Sequence, residues 1–295
     1  VSRQVPHEGL IRDPREIRDE AARVGGLFHD AHGDSPMLGF RALIFDVDGT
    51  LADTERDGHR PAFNAAFAEA GLDWVWDVER YGELLRVTGG KERIATYLAE
   101  EGIGLDPAID EADFIAGLHR AKTRHYVALL EGGAIPLRPG VLRLLREARD
   151  AGVRLAIATT TTPENVSVLL DNAGEPGLRD WFEVIAAGDV VPAKKPAPDI
   201  FLLALSELGL DAADCIAVED SDNGVRSALG AGLRALLVTV NDYTAAQDLS
   251  DAPLVVDHLG EPGRPARALI GDLAGYPMVD LAALDRLHRA AFGRA

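Results

Sequence analysis

A chain of 295 residues with 47% apolar content is long enough to bury a sizeable core and to carry a main domain with a second, smaller one. Its 48 acidic and 30 basic residues give a net charge of −18, which argues against a nucleic-acid partner or an anionic membrane surface, since both call for a basic face. A phosphorylated small molecule stays open, because a metal ion, one or two lysines and helix N-termini supply positive potential locally. The single cysteine, Cys215, rules out an internal disulfide and lies in an apolar run, so a reducing cytoplasm is the expected compartment. No apolar run reaches the roughly 18 residues of a membrane span.

Residues 1–38 mix Pro6, Pro14, Gly25, Gly26, Gly33 and Pro36 with charge and few large apolar side chains. They read as a poorly ordered extension with at most a short helix from Pro14 to Val24. Met37 falls four residues before the first strand, and a chain beginning there is expected to keep its activity. Ala42 to Phe45 is an apolar run too short for a helix, the pattern of a parallel strand buried on both faces. Residues 56–135 read as helices only. Pro61 opens the first, Phe63 and Phe67 share its inner face and Gly71 ends it. The second runs from Glu92 to Glu101, and the third from Glu111 to about Leu130 with Phe114, Leu118, Ala121 and Leu129 on one stripe. After Pro139-Gly140, a helix with Val141, Leu144, Leu145 and Ala148 inward restores the alternation. Strands follow at Arg154–Ala158, Val184–Ala186, Cys215–Val218, Ala235–Val240 and Leu254–Val256, with helices such as Asp199–Leu208 and Gly224–Ala231 between them. This predicts an α/β fold, a doubly wound parallel sheet. Its core is expected from residues 39–55 and 136–258, with the helices of 56–135 inserted as a cap and 259–295 forming a tail with a short helix through Leu281, Leu284 and Leu287.

The first strand delivers Asp46-Val47-Asp48-Gly49-Thr50-Leu51 to its carboxyl end, the edge where open α/β sheets bind ligands. Turn formation alone leaves two neighbouring acids unexplained. A calcium loop of the EF-hand kind needs glycine sixth and glutamate twelfth, whereas here Gly49 is fourth and Asp57 twelfth. The functional reading is nucleophilic carboxylate catalysis, in which Asp46 would attack phosphorus and Asp48 would handle the leaving-group proton.

That hexapeptide resembles the first motif of the haloacid dehalogenase-like hydrolases, mostly Mg²⁺-dependent phosphatases and phosphomutases with a Rossmann-like core and an inserted cap. The later motifs follow in the family's order. Thr159, ending the second strand before Thr160, Thr161 and Thr162, matches the family's phosphoryl-binding hydroxyl, with the Thr160 amide beside it. Read alone, the threonine run is a β-branched strand end with capping hydroxyls. Lys195-Pro196-Ala197-Pro198 matches the third motif, so Lys195 is expected to neutralise Asp46 and the phosphoryl oxygens, while Lys194 is bystander surface. Glu219-Asp220 ends another strand, where an acidic loop is otherwise a solvated turn. The resemblance implies that Asp46, the backbone carbonyl of Asp48, and Asp220 hold Mg²⁺, with Glu219 close by. It covers about residues 41–257, without departure at a catalytic position.

Within the cap, Asp53-Thr54-Glu55 through His59-Arg60, Trp74-Val75-Trp76 and Thr88-Gly89-Gly90-Lys91-Glu92-Arg93 resemble the CbbY-like branch, which includes xylulose bisphosphate phosphatase and is similar to β-phosphoglucomutase. Lys91 and Arg93 at a helix start make an anion site, and Glu55 and His59 are further substrate-binding candidates. The plain alternative is an exposed Lys and Arg, with Trp74 and Trp76 merely packing. The expected activity is Mg²⁺-dependent hydrolysis of a phosphorylated sugar, a pentulose bisphosphate among the candidates, through an aspartyl-phosphate. The alternatives are a sugar phosphomutase, a phosphoglycolate-type phosphatase, and a catalytically silent binding module, which should lack an essential acid or lysine.

Overall fold

The computed structural model describes residues 38–87 and 89–293. The expected extension, its Pro14–Val24 helix and Thr88 lie outside the described residues, apart from Leu38. Seven strands form one sheet in the order β3-β2-β1-β4-β5-β6-β7: β1 Ala42–Phe45, β2 Arg154–Thr159, β3 Phe182–Ala187, β4 Cys215–Glu219, β5 Leu236–Thr239, β6 Leu254–Val256 and β7 Ala268–Ile270. All neighbours pair in parallel except β6 and β7. β1 runs between β2 and β4, with Phe45 level with Ile157 and Val218. The strand order reverses beside it, which opens a crevice at its carboxyl end.

All four β1 residues are fully buried, as a sheet covered on both faces requires. Ala42 and Ile44 join an apolar cluster with α7 (Asp199–Leu208) and α8 (Asp222–Gly230) through Phe201, Ala204, Val225 and Ala228. Among the described residues no helix is long and apolar enough to cross a membrane.

Between β1 and β2 the chain makes a five-residue π-helical turn, Glu55–His59, and four α-helices: α1 Arg60–Glu69, α2 Val78–Leu84, α3 Gly90–Glu100 and α4 Glu111–Glu131. They enclose their own apolar cluster of Phe63, Phe67, Trp76, Tyr81, Leu84, Ile94, Leu98, Ile115 and Leu118. Trp76 is packed between Phe63 and Phe67 at ring-centroid distances of 4.7 and 4.9 Å, so truncating it to alanine costs about 3 to 5 kcal/mol.

Three details differ from the sequence reading. The stripe of α4 is buried at Ile115, Leu118, Ala121, Lys122, Tyr126 and Leu130, while Phe114 and Leu129 are half-buried; the helix turns a cation, Lys122, inward. The seven-residue α2, capped by the Asp77 carboxylate accepting from the Arg80 amide, is too short to show a period. Residues 259–293 are more than a tail. They add β7 to the sheet and α9 (Leu281–Phe292), which follows α5 (Val141–Asp150) and α6 (Pro163–Asp171) as the last helix. α9 is tied to α5 where the Leu281 amide donates to Glu147 Oε1. A three-residue strand carries too little periodicity to be read from sequence.

Candidate active site

The carboxyl ends of β2, β4 and β5 gather around that of β1. The Asp46 amide donates to the Val218 carbonyl at 2.9 Å, prolonging the β1–β4 pairing by one residue and setting Asp46 beside Glu219. Lys195 enters from the loop before α7, and its ammonium donates to Asp46 Oδ1 and Glu219 Oε1, each at 2.6 Å. Its side chain is 8% exposed. Burial alone lowers a lysine's proton affinity, but the two carboxylates reverse this and leave it raised. Lys194 stays at the surface, paired with Asp189.

Asp46, Glu219 and Asp220 are all buried, each with an oxygen within 4.8 Å of the others'. Burial and mutual repulsion push Glu219 and Asp220 above the usual carboxylate range. Three packed acids against one ammonium leave excess negative charge, and oxygen donors at such spacing suit a hard divalent cation. Two glycines make the packing possible. A Cβ on Gly49 (φ +84°) would fall 2.2 Å from Asp220 Oδ2, and one on Gly224 would fall 1.9 Å from Glu219 Oε2.

Asp48 stands at the mouth of this cluster. Burial first, then the charges of Glu55 and Asp46, push its carboxyl up to about 7 despite hydrogen bonds from Thr54 and Thr161. The Thr54 hydroxyl donates to Asp48 Oδ1 at 2.5 Å. An acid poised there gives and takes protons near neutrality. Thr159 is buried at the end of β2, with its hydroxyl accepting from the Thr161 amide at 3.3 Å, and Thr160 beside it is half-buried.

Facing Asp48 from the helices is a basic cluster. Lys122 of α4 donates to His59 Nδ1 at 2.7 Å; an ammonium has only donors, so His59 carries its proton on Nε2, 3.9 Å from Asp48 Oδ1. His59 stacks on Tyr126. Burial, then Lys122 and Arg93, hold its proton affinity well below the ordinary value. Burial likewise lowers Lys122 to about 8. Arg93 donates to the Tyr81 hydroxyl at 2.8 Å, and Tyr81 donates to Glu55 Oε2 at 2.5 Å. Lys91 is exposed on the first turn of α3, where its charge reaches His119 together with that of Lys122. The Glu92 carboxylate lies over the Gly89 turn, so the positive potential comes from side chains more than from that helix end.

Thus the structure brings Asp46, Asp48, Lys195, Glu219 and Asp220 together, and places Glu55, His59 and Arg93 opposite them. Lys122, Tyr81, Thr161, Asn241 and Arg138 were missed. The one signal for Lys122 was a cation inside an apolar helical stripe. Arg138 is buried, with its guanidinium donating to the carbonyls of Gly49, Thr239 and Val240 and pairing with Asp53 at 3.1 Å.

The family model described as "haloacid dehalogenase-like hydrolase" matches residues 40–232. The chain is similar to the plasmid-encoded protein CbbY of Cupriavidus necator, 47% identical over 252 residues that cover 84% of this chain and 96% of that one. It also resembles the crystal structure of a CbbY mutant from Rhodobacter sphaeroides in complex with xylulose-(1,5)bisphosphate. The TM-score is 0.65 with 50% identity, covering 75% of this chain and 95% of that one. A putative β-phosphoglucomutase from Thermotoga maritima is similar at a TM-score of 0.59 and 26% identity, over 74% and 94% of the two chains.

Proposed function

Because this chain belongs to the haloacid dehalogenase-like hydrolases and resembles a CbbY mutant seen in complex with xylulose-(1,5)bisphosphate, we propose that it is a Mg²⁺-dependent sugar bisphosphatase working through an aspartyl-phosphate. The observation that carries this reading is the Lys195 ammonium bridging Asp46 and Glu219 with Asp48 at the mouth. Lys195 holds Asp46 Oδ1, which leaves Oδ2 to attack phosphorus. As the Asp46–phosphorus bond forms and the sugar–oxygen bond to phosphorus breaks, protonated Asp48 gives its proton to the departing sugar oxygen. Ionised Asp48 then takes a proton from water attacking the aspartyl-phosphate, which frees phosphate and restores both acids. Thr159 and the Thr160 amide are the donors to the phosphoryl oxygens. The carboxylates of Asp46 and Asp220, with the Asp48 backbone carbonyl and Glu219 nearby, would hold Mg²⁺, whose chemistry when bound is to neutralise charge on the phosphoryl group.

A substrate with two phosphates fits this reading. The reacting group occupies Asp46, Thr159 and Lys195, so a distal anion falls to Lys122, Arg93 and Lys91 with His59. Likeness to a putative β-phosphoglucomutase favours a second reading, in which the phosphoryl group returns to the sugar. One experiment separates them. Phosphate release is measured over sugar mono- and bisphosphates with the sugar products identified, alongside Asp46→Asn. The hydrolase reading expects stoichiometric phosphate from a bisphosphate and neither turnover nor phosphoryl-enzyme in the variant. An isomerised sugar phosphate without phosphate release means a mutase, and near wild-type turnover by Asp46→Asn ends the covalent mechanism.

A further inference from the structure

The turn after β5 reaches both halves of the site. Asn241 donates through Nδ2 to Asp220 Oδ2 at 2.7 Å and approaches the Gly49 carbonyl at 3.5 Å. Its Oδ1 accepts from the amides of Tyr243 at 2.9 Å and Thr244 at 3.2 Å, and its own amide donates to Thr244 Oγ1 at 3.0 Å. These bonds fix the amide's orientation: with Oδ1 committed to two backbone donors, Nδ2 is the end that meets Asp220. The turn is itself anchored. Arg138 holds the Val240 carbonyl on one side. On the other, Asp242 pairs with Arg56 at 2.9 Å and the Tyr243 ring packs on Tyr81 at 5.8 Å.

We propose that Asn241 is a positioning residue for the acid cluster: its amide holds the Asp220 carboxylate in the rotamer that receives a divalent cation, and so sets cation affinity without touching substrate. The inference rests on the reading that Asp220 helps hold that cation. The physical case is orientational. Asp220 is crowded by Gly49 and lies beside Glu219 and Asp46, so without a partner its carboxylate is free to swing out of the cluster. A neutral amide pins it without adding to or cancelling the charge that attracts the cation, as an arginine in the same place would. Asn241 and Asp220 are 21 residues apart on different loops, so this contact exists only in the fold.

Asn241→Ser tests this, because a serine hydroxyl still accepts from the turn's amides but is too short to reach Asp220. Mg²⁺ is titrated against melting temperature without substrate, and separately against phosphate release from a sugar bisphosphate. The expected result is a Mg²⁺ midpoint raised about tenfold in both titrations, the order expected for one charge-assisted hydrogen bond. The KM for the sugar phosphate at saturating Mg²⁺ should stay at its wild-type value. Asn241→Thr keeps the same hydroxyl and serves as the second variant. An unchanged Mg²⁺ midpoint in a folded variant overturns the proposal, as does failure of both variants to fold, since Asn241 is then structural. A wild-type protein that neither responds to Mg²⁺ nor releases phosphate brings down the proposed function and this inference together; a responsive wild type with unaltered variants brings down the inference alone.

Discussion

The two halves of the site differ in charge and in how the chain builds them. At the sheet's carboxyl edge, three buried acids share one ammonium. Across from it lie buried Lys122, Arg93 and His59, with half-buried His119 near them, and both histidines have their proton affinity suppressed. On the proposed reading the first half would attract a cation and the second an anion, and a phosphorylated ligand with its counter-ion would satisfy both. The acidic half is made of short contiguous motifs at strand ends. The basic half draws single residues from the entry turn, α3 and α4, and only packing brings them together.

The strongest way to break this comparison is Lys195→Ala. Removing the one cation of the acidic half should lower kcat by about 10² to 10³, as loss of a preorganised electrostatic partner does, with KM changed little. A steady-state assay on any accepted sugar phosphate checks it, and a loss confined to KM would place Lys195 in binding alone. Lys122→Met probes the other half. It should lower kcat/KM on a sugar bisphosphate by about 10- to 100-fold, the range of one charge-assisted bond, while a small monophosphate is affected far less. Equal losses on both substrates would mean that the basic half orients catalytic groups such as His59 and binds no second anion.

The smallest expected effect concerns pH. Asp48 titrates near 7 in the folded chain against about 4 when unfolded. Between these values the folded state binds the extra proton, so this contribution to stability is present at acid pH and is lost as pH rises through about 7. Metal-free protein should therefore lose stability from about pH 5 to about pH 8, and Asp48→Asn should shallow that decline by on the order of 1 kcal/mol, since the side chain is partly solvated. Melting curves across this range in chelator provide the check, and an identical pH slope in the variant would remove Asp48 from the explanation.

Legibility followed the same division. Asp46, Asp48, Glu219 and Asp220 stood out as acids where an apolar strand run stops, since parallel pairing lines up such ends, while Lys195 and the roles assigned to Glu219 and Asp220 came from the resemblance of their motifs to the family's. The helices of the insert were readable in number but for α2, and Arg93 was found. Lys122 was not, because its partner His59 is 63 residues away and an inward lysine breaks the very periodicity used to choose the buried face. Asn241 and Arg138 were hidden for a related reason. Their contacts are to backbone carbonyls, or to a carboxylate on another loop, and those acceptors leave no trace in residue type.

The separate apolar cores of sheet and insert also bear on how such a protein changes over generations. Phe63, Phe67 and Trp76 share no member with the apolar cluster that packs on Ala42 and Ile44 of β1, so the effects of substitutions in the two clusters should add with little coupling. Descendants can therefore remodel the insert's interior, and with it the shape offered to a sugar, while inheriting the phosphoryl-transfer machinery unaltered. The exchange is constrained at the crossing, where Arg138 reads the Gly49 and Val240 carbonyls and Ala52 bridges to Leu137. An insert transplanted without those two strands of chain would arrive with its chemistry intact and its address lost.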